Sequence, residues 1–296
     1  MLAAGLRFFL LIEMAAYAAM TSHFLDLSVA QSVLAALGIL MGTRAGVIAV
    51  TYAYAVANHS RAPRLGPWRA VRMVAAEYLA FLHLFLIIQP FERLWMGADR
   101  LPAGRPVVLL IHGYGCNRGA WWWLRKRLEA AGFAVATLNL EPPYTDIDNF
   151  VATLDARIEA VCREAGCSRL TLIGHSMGGL VARAYLGRLG NARVDRLLTI
   201  ASPHAGSLLA RLGVGENARQ MEPGSVWLKR LWPERPPVPM VALRNSHDNF
   251  VMPQDSQRFP GARDVELPAL GHLAVLFSGR AAEALLEALR APASSS

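Results

Sequence analysis

The sequence predicts an α/β protein with a doubly wound, mostly parallel sheet, preceded by transmembrane helices at its N-terminus. Two observations lead to this prediction: the uneven distribution of charge, and the alternation of apolar and amphipathic segments after Pro106. The 296-residue chain is 54% hydrophobic and 18% charged, with a mean hydropathy of +0.29. Residues 1–92 hold only 10 of the 52 charged residues. We therefore expect a membrane-embedded region at 1–92, with about three spans, and a globular domain at 93–296.

The composition excludes several classes of protein. Disorder requires low hydrophobicity and high net charge, and this chain has abundant apolar residues. The net charge is +8, but no Lys/Arg block is interleaved with aromatic residues, so we expect no nucleic-acid partner. The basic balance instead favours contact with anionic membrane lipid. The three cysteines match no metal-binding spacing and imply no disulfide framework, so we expect no metal and no cofactor.

Three hydrophobic runs account for the excess of apolar residues, and a helix needs about 20 such residues to cross a bilayer. The second run is either one long tilted helix or two short helices hinged at residues 42–44. The first run could instead be a cleaved signal peptide. Glu13 in its middle, and the immediate return of hydrophobicity, argue against cleavage. The runs cover residues 4–25, 28–57 and 73–91.

Four ionisable residues lie within or beside these runs: Glu13, Arg44, Glu77 and His83. A charge in lipid is costly unless it is paired, so pairing across a small helical bundle is one prediction. A position at the membrane interface is the alternative for some of them.

Arginines predict the orientation of the membrane region. Arg61, Arg64, Arg69 and Arg72 lie between the second and third runs, whereas the loop between the first two runs has no Lys or Arg. Under the positive-inside rule, three spans put the N-terminus and the Arg-rich loop in the cytoplasm. The globular domain would then face the periplasmic side of a bacterial inner membrane. If the second run is a hairpin of two helices, the number of crossings changes by one, and the predicted side of the globular domain changes with it.

Alternating short apolar runs and amphipathic stretches predict the parallel sheet of the globular domain. One segment, 205–236, is rich in Gly, Pro, Arg and Leu and fits no such period. We expect it to be a lid-like insertion over the sheet. The predicted strands are 106–111, 133–140, 169–174, 194–201, 238–244 and 262–267, and the predicted helices lie near 119–131, 148–165, 177–189 and 280–290.

A serine-centred turn follows the predicted strand 169–174. The sequence there is Gly-His-Ser-Met-Gly-Gly, with the serine at Ser176. Flanking glycines permit the sharp strand-to-helix turn that exposes a nucleophilic hydroxyl at a helix N-terminus. We therefore interpret Ser176 as a nucleophile.

A serine nucleophile needs a base and an acid that orients the base. In a fold of this kind the order along the chain is serine, acid, histidine. His272 is the last histidine in the chain, and it precedes the final predicted helix. Asp248 directly follows strand 238–244 and is the preferred acid. Asp255 is the alternative, and Asp264 is less suitable because it lies within a predicted strand.

Backbone N–H groups are the candidates for an oxyanion hole. His112-Gly113-Tyr114-Gly115 follows strand 106–111, where Tyr114 can supply one N–H, and Met177 after the serine can supply the other. His112 is interpreted as structural, because it precedes the nucleophile.

These motifs together resemble the α/β-hydrolase superfamily, and within it the bacterial triacylglycerol lipases and related esterases. The resemblance covers residues 100–292 and rests on the motifs quoted above together with Ser202-Pro-His-Ala-Gly-Ser207. It implies a catalytic triad of Ser176, Asp248 and His272. Those lipases carry an acidic calcium ligand two residues after the catalytic histidine; Ala274 stands there in this chain, so no calcium site is expected.

The resemblance and the membrane region together lead to one functional hypothesis. We expect a membrane-anchored serine hydrolase that cleaves carboxylic esters, most of all lipids, through an acyl-enzyme. An acyl-thioesterase or an acyltransferase would use the same machinery. A catalytically inert membrane scaffold is the hypothesis from another class.

Overall fold

The globular region is built on a six-stranded sheet in which every pair of neighbouring strands is parallel. The computed structural model describes residues 1–231 and 236–291. The strand order is β2-β1-β3-β4-β5-β6, as expected for a doubly wound sheet. The strands are β1 Val107–Ile111, β2 Ala134–Thr137, β3 Leu170–His175, β4 Val194–Ile200, β5 Met240–Arg244 and β6 Arg263–Glu266. The predicted α/β class is confirmed.

The central strand β1 shows why an uninterrupted apolar run becomes a strand here. All five of its residues are buried. Because successive side chains of a strand point to opposite faces, Leu109 and Ile111 join the core on one face, and Val108 and Leu110 join the core on the other. Both faces are covered, so neither needs polar residues.

Helices cover both faces of the sheet. Buried residues of α6 and α7 belong to one core, whereas those of α5 and α10 belong to the other. The helices are α1 Leu2–Leu25, α2 Val29–Ala57, α3 Pro67–Leu82, α4 Glu92–Trp95, α5 Trp122–Ala130, α6 Asn149–Ala165, α7 Met177–Leu189, α8 Glu216–Gln220, α9 Val226–Arg230 and α10 Gly279–Arg290. A π-helical turn, His83–Ile88, continues α3.

The predicted insertion at 205–236 is a distinct segment between β4 and β5. It contains a 3₁₀ turn at Leu208–Leu212 followed by the short helices α8 and α9. Its part at 232–235 lies outside the described residues.

Three N-terminal helical segments are long and apolar enough to cross a membrane, which indicates membrane association: Leu2–Leu25, Val29–Ala57 and Pro67–Ile88. The second hydrophobic run is one continuous helix, α2, with no hinge at 42–44. It forms a helical hairpin with α1. Glu13 and Arg44 pair across this hairpin, where Arg44 Nη1 donates to Glu13 Oε1 at 2.7 Å.

The other two ionisable residues do not pair within the helices. Glu77 is fully buried and accepts hydrogen bonds from the backbone of Leu273 and Ala274. His83 packs against the rings of Trp95, Trp122 and Phe277. The expectation of a self-contained charged bundle is therefore correct only for Glu13 and Arg44.

The third helical segment packs against the globular region. Ala80, Leu84 and Ile88 are buried in the same core as Leu110 and Trp121. The packing thus crosses residue 92, where the sequence predicts a boundary between two regions. The boundary at residue 92 remains a prediction of where the membrane region ends. It does not separate two hydrophobic cores.

Contacts join the start of α1 and the segment after α2 to the globular region. The Met1 amino group pairs with Glu141, and the Ser60 N–H donates to Gln254 Oε1 at 2.8 Å. Beyond it, Pro63 O lies 2.9 Å from His247 Nε2. The N-terminus, the Arg-rich loop and the globular region therefore lie at the same end of the α1–α2 hairpin.

Candidate active site

Ser176 occupies a strained turn between strand and helix. β3 ends at His175 and α7 begins at Met177. Ser176 has φ +54° and ψ −127°, a backbone conformation that residues with a side chain rarely adopt. Such strain persists only where the surroundings enforce it, and it is concentrated at functional sites.

His272 and Asp248 form a buried hydrogen-bonded pair. His272 Nδ1 lies 2.8 Å from Asp248 Oδ2. The other carboxylate oxygen, Oδ1, accepts hydrogen bonds from the backbone N–H groups of Phe250 (2.7 Å) and Val251 (2.8 Å). These bonds fix the carboxylate, so that one oxygen is left to orient the imidazole.

The two alternative acids lie elsewhere. Asp255 pairs with Arg258 on the surface, at 2.9 Å. Asp264 lies on β6 and pairs with Arg244 and Arg258. Of the three candidates, only Asp248 contacts His272 in the described structure.

Charge distinguishes the three histidines around this site. Burial lowers the pKa of His272, but the charge of Asp248 and its hydrogen bond outweigh burial, so the net pKa is raised. Burial holds the pKa of His175 well below its ordinary value. Burial also lowers the pKa of His112 to about 4. Among these three histidines, only His272 has a pKa above its ordinary value.

His112 holds the loop after β1. Its Nε2 accepts a hydrogen bond from Leu140 N–H at 3.0 Å, so its Nδ1 carries the proton and donates to Gly113 O at 3.0 Å. This arrangement fits the structural role predicted for His112. The loop also touches the serine turn, since a Cβ added at Gly113 would lie 2.8 Å from Ser176 Cβ.

One cavity borders three of the predicted site residues. It has a volume of about 710 Å³, and Ser176, His272 and Tyr114 line it. Met177 is buried at the first turn of α7, directly after the serine. The size falls within the range of small-molecule sites, about 300–1,000 Å³.

Glu77 contributes to this site although the sequence predicts only a membrane charge. Its carboxylate accepts hydrogen bonds from the N–H groups of Leu273 (3.0 Å) and Ala274 (2.8 Å), directly after His272. Gly271 permits this approach, because an added Cβ there would lie 2.7 Å from Glu77 Cβ. An acidic residue within an apolar helix was the one signal in the sequence.

Two further contacts tie the N-terminal segment to the site. Asn249 Oδ1 accepts from His272 N–H at 3.0 Å, and Asn249 Nδ2 donates to Thr51 Oγ1 of α2 at 2.8 Å. On the other side, Gln89 Oε1 accepts from Asn117 N–H at 2.7 Å, close to the loop after β1. Nothing in the local sequence pattern pointed to these residues.

Sequence comparisons find similarity between the globular region and acyl hydrolases. A family model described as palmitoyl protein thioesterase matches residues 106–226. The chain is 32% identical over 123 residues to a triacylglycerol lipase of Burkholderia plantarii, covering 39% of this chain and 34% of the relative. A triacylglycerol lipase of Pseudarthrobacter phenanthrenivorans is 32% identical over 121 residues, or 38% of each chain. The chain thus spans about a third of the length of these curated relatives.

Solved structures share the fold. A Bacillus licheniformis lipase in its mature form superposes with a TM-score of 0.56 at 18% identity, over 65% of this chain and 95% of that chain. Aspergillus fumigatus lipase B gives a TM-score of 0.59 at 17% identity, over 64% of this chain and 53% of that chain. Similarity at this level of identity concerns the fold, and the fold is that of the α/β-hydrolases.

Proposed function

We propose that this chain, whose globular region has the α/β-hydrolase fold, is a membrane-associated serine hydrolase that cleaves carboxylic esters of lipids. One observation carries the proposal: the strained Ser176 shares a cavity with His272, which is hydrogen-bonded to the buried Asp248. The similarity to triacylglycerol lipases supports the ester chemistry.

The proposed reaction has two acyl-transfer steps. Ser176 Oγ attacks the ester carbonyl carbon while His272 Nε2 accepts the hydroxyl proton, and Asp248 stabilises the imidazolium. The tetrahedral intermediate then expels the alcohol, which takes the proton from His272, and an acyl-enzyme remains. Water attacks the acyl-enzyme with His272 again as base. The carboxylic acid leaves, and Ser176 regains its proton.

The oxyanion is proposed to bind the backbone N–H groups of Tyr114 and Met177. Met177 begins α7, so the helix N-terminus adds its favourable dipole to the developing negative charge. Tyr114 follows Gly113, which abuts Ser176. Each such donor contributes about 3 kcal/mol to stabilisation of the transition state.

Cleavage of acyl thioesters is a second candidate, favoured by the family model at residues 106–226. The same residues would attack a thioester and release a thiol. A pair of substrates with one acyl chain and either an oxygen or a sulfur leaving group separates the two functions. A higher kcat/KM for the thioester would assign the chain to thioester cleavage.

Hydrolysis assays on the full chain in detergent test the proposal. We expect release of p-nitrophenol from p-nitrophenyl acyl esters by the wild-type protein. The variant Ser176→Ala should lose at least 10³-fold in kcat, because it lacks the nucleophile. Equal rates for the wild-type protein and this variant would refute the proposed role of Ser176.

For localisation we propose an inner-membrane protein whose α1–α2 hairpin inserts into the bilayer. Each whole helix is longer than the hydrocarbon thickness of about 30 Å at 1.5 Å per residue. The base of the hairpin, up to Arg7 in α1 and from Gly46 in α2, lies against the globular region, and the remainder is the part that inserts. Residues 26–28 at the hairpin tip hold no Lys or Arg, whereas Arg61, Arg64, Arg69 and Arg72 lie on the globular side. The positive-inside rule then places the globular region in the cytoplasm, in contrast to the periplasmic side expected for three spans.

A further inference from the structure

The cavity beside Ser176 has walls from two separate parts of the chain. One wall comes from the segment between β4 and β5, with Leu209, Leu212 and Met221. The other wall comes from the three N-terminal helical segments, which contribute Leu6, Gly46, Val47, Val50, Phe81 and Phe85. Nearly all of these side chains are hydrocarbon, so this part of the cavity favours an apolar occupant.

Burial changes along the cavity. Ser176 and His272 are buried at one end. At the mouth, the apolar side chains of Val47, Val50 and Leu212 are 44%, 57% and 63% exposed. The cavity therefore runs from a buried reactive end to an exposed apolar rim.

The rim continues into the surface of the helical hairpin. Phe8 and Leu11 of α1, close to the cavity-lining Leu6, are 67% and 70% exposed. Large exposed apolar side chains on a helix of this length indicate a membrane contact. α1 and α2 are long and apolar enough to cross a bilayer, and the cavity mouth lies where they meet the globular region. Insertion of the hairpin therefore places the mouth at the membrane interface, where the acyl chains of lipids begin.

We infer that α2, with Leu6 of α1 and the phenylalanines of α3 and its π-helical turn, forms a binding wall for the long acyl chain of a membrane lipid. The acyl chain enters from the bilayer at Val47 and Val50 and lies along Gly46. The ester carbonyl at its end then reaches Ser176. The inference rests on the proposed function, because it names the substrate of the same serine. It assigns to the membrane helices the selection of acyl length, in addition to attachment.

Gly46 offers a direct test. A Cβ added at Gly46 meets nothing within 4 Å, so a side chain can start there without a backbone clash, and Gly46 lines the cavity. Gly38, also on α2, has the same free surroundings but lies outside the cavity lining, which makes it a matched control.

The measurement is kcat/KM for p-nitrophenyl palmitate relative to p-nitrophenyl acetate, with the full chain in detergent micelles. In Gly46→Leu the palmitate-to-acetate ratio should fall about tenfold or more, because the added side chain shortens the apolar wall. In Gly38→Leu the ratio should stay at the wild-type value. An unchanged ratio in Gly46→Leu, or an equal fall in both variants, would overturn the inference.

A second measurement uses the wild-type protein and is independent of variant folding. A hexadecyl fluorophosphonate with a terminal diazirine is bound at Ser176 and then photoactivated. Crosslinks to peptides from residues 41–57 or 77–88 are expected, and crosslinks confined to 205–231 would contradict the inference. Absence of any adduct at Ser176 would refute the proposed function itself, so the two failures are distinguishable.

Discussion

His272 has carboxylates on both sides of its loop, and they have different tasks. Asp248 contacts the imidazole directly, whereas Glu77 binds the backbone N–H groups of the two following residues. The first sets the orientation and basicity of the ring, and the second fixes the loop that carries it.

The raised pKa of His272 predicts the acid limb of the activity. The base must be neutral, so kcat/KM should fall as pH decreases through a pKa above the ordinary value of 6.5. In Asp248→Asn the charge and hydrogen bond that raise this pKa are lost, so the limb should move to lower pH. The maximal rate should also fall about 10⁴-fold. A pH–rate profile checks both, and an acid limb at the same pH in the two proteins would contradict the assignment of Asp248.

Glu77→Gln should act through the position and the charge of His272. An amide oxygen in the place of Oε2 can still accept from Leu273 and Ala274, but the NH₂ group in the place of Oε1 then faces the Leu273 N–H, at a cost of about 1–3 kcal/mol. We expect a lower kcat with little change in KM, and an acid limb at lower pH because the charge of Glu77 raises the pKa of His272.

Steady-state kinetics across pH make this measurement. A purely structural effect would lower the amount of folded enzyme without moving the acid limb. An unchanged limb would therefore exclude the positioning role of Glu77.

Sequence patterns identified site residues whose signals are local. They did not identify a residue whose contacts lie far away along the chain. Ser176, Asp248 and His272 each follow a strand in a recognisable local pattern, and the structure brings all three to one edge of the sheet. Their catalytic roles remain proposals. Glu77 contacts residues 196 positions further along the chain, and no local periodicity carries such a pairing.

At the scale of elements, the Glu13–Arg44 pair holds the α1–α2 hairpin together. A lone charge within a membrane helix costs about 2.5–3.5 kcal/mol, so Arg44→Gln should lower the fraction of protein that resists carbonate extraction from membranes. The double variant Glu13→Arg/Arg44→Glu should recover most of it, because the pair is restored with reversed sign. Full retention of Arg44→Gln in the membrane fraction would show that the pair is dispensable.

The strands and most helices of the globular region were predictable because their signals are local. Continuous apolar runs give buried parallel strands, and amphipathic periods give the covering helices. The arrangement of the N-terminal helices was not predictable in this way. Hydropathy measures length and apolar character, and it does not distinguish α3 packed on the globular core from a free membrane span.

At the scale of the whole molecule, the contacts of Met1, Ser60 and Pro63 predict the membrane orientation. Single cysteines at the hairpin tip and in the Arg-rich loop test it, in a background of Cys167→Ser, since Cys116 and Cys162 are buried. In intact cells a membrane-impermeant maleimide should label Asp26→Cys, and it should label Arg64→Cys only after permeabilisation. A third cysteine, Glu164→Cys on the exposed surface of the globular region, should also be labelled only after permeabilisation. Labelling of Glu164→Cys in intact cells would restore the periplasmic arrangement.

The central claim is that Ser176 is the nucleophile of an acyl hydrolase, and covalent labelling tests it most directly. The full chain is treated with a fluorophosphonate and digested, and the modified peptide is identified by mass spectrometry. The account predicts one phosphonyl adduct on Ser176, no adduct in Ser176→Ala, and slower labelling in Asp248→Asn. An unmodified Ser176 in folded wild-type protein, or an adduct that persists in Ser176→Ala, would contradict it.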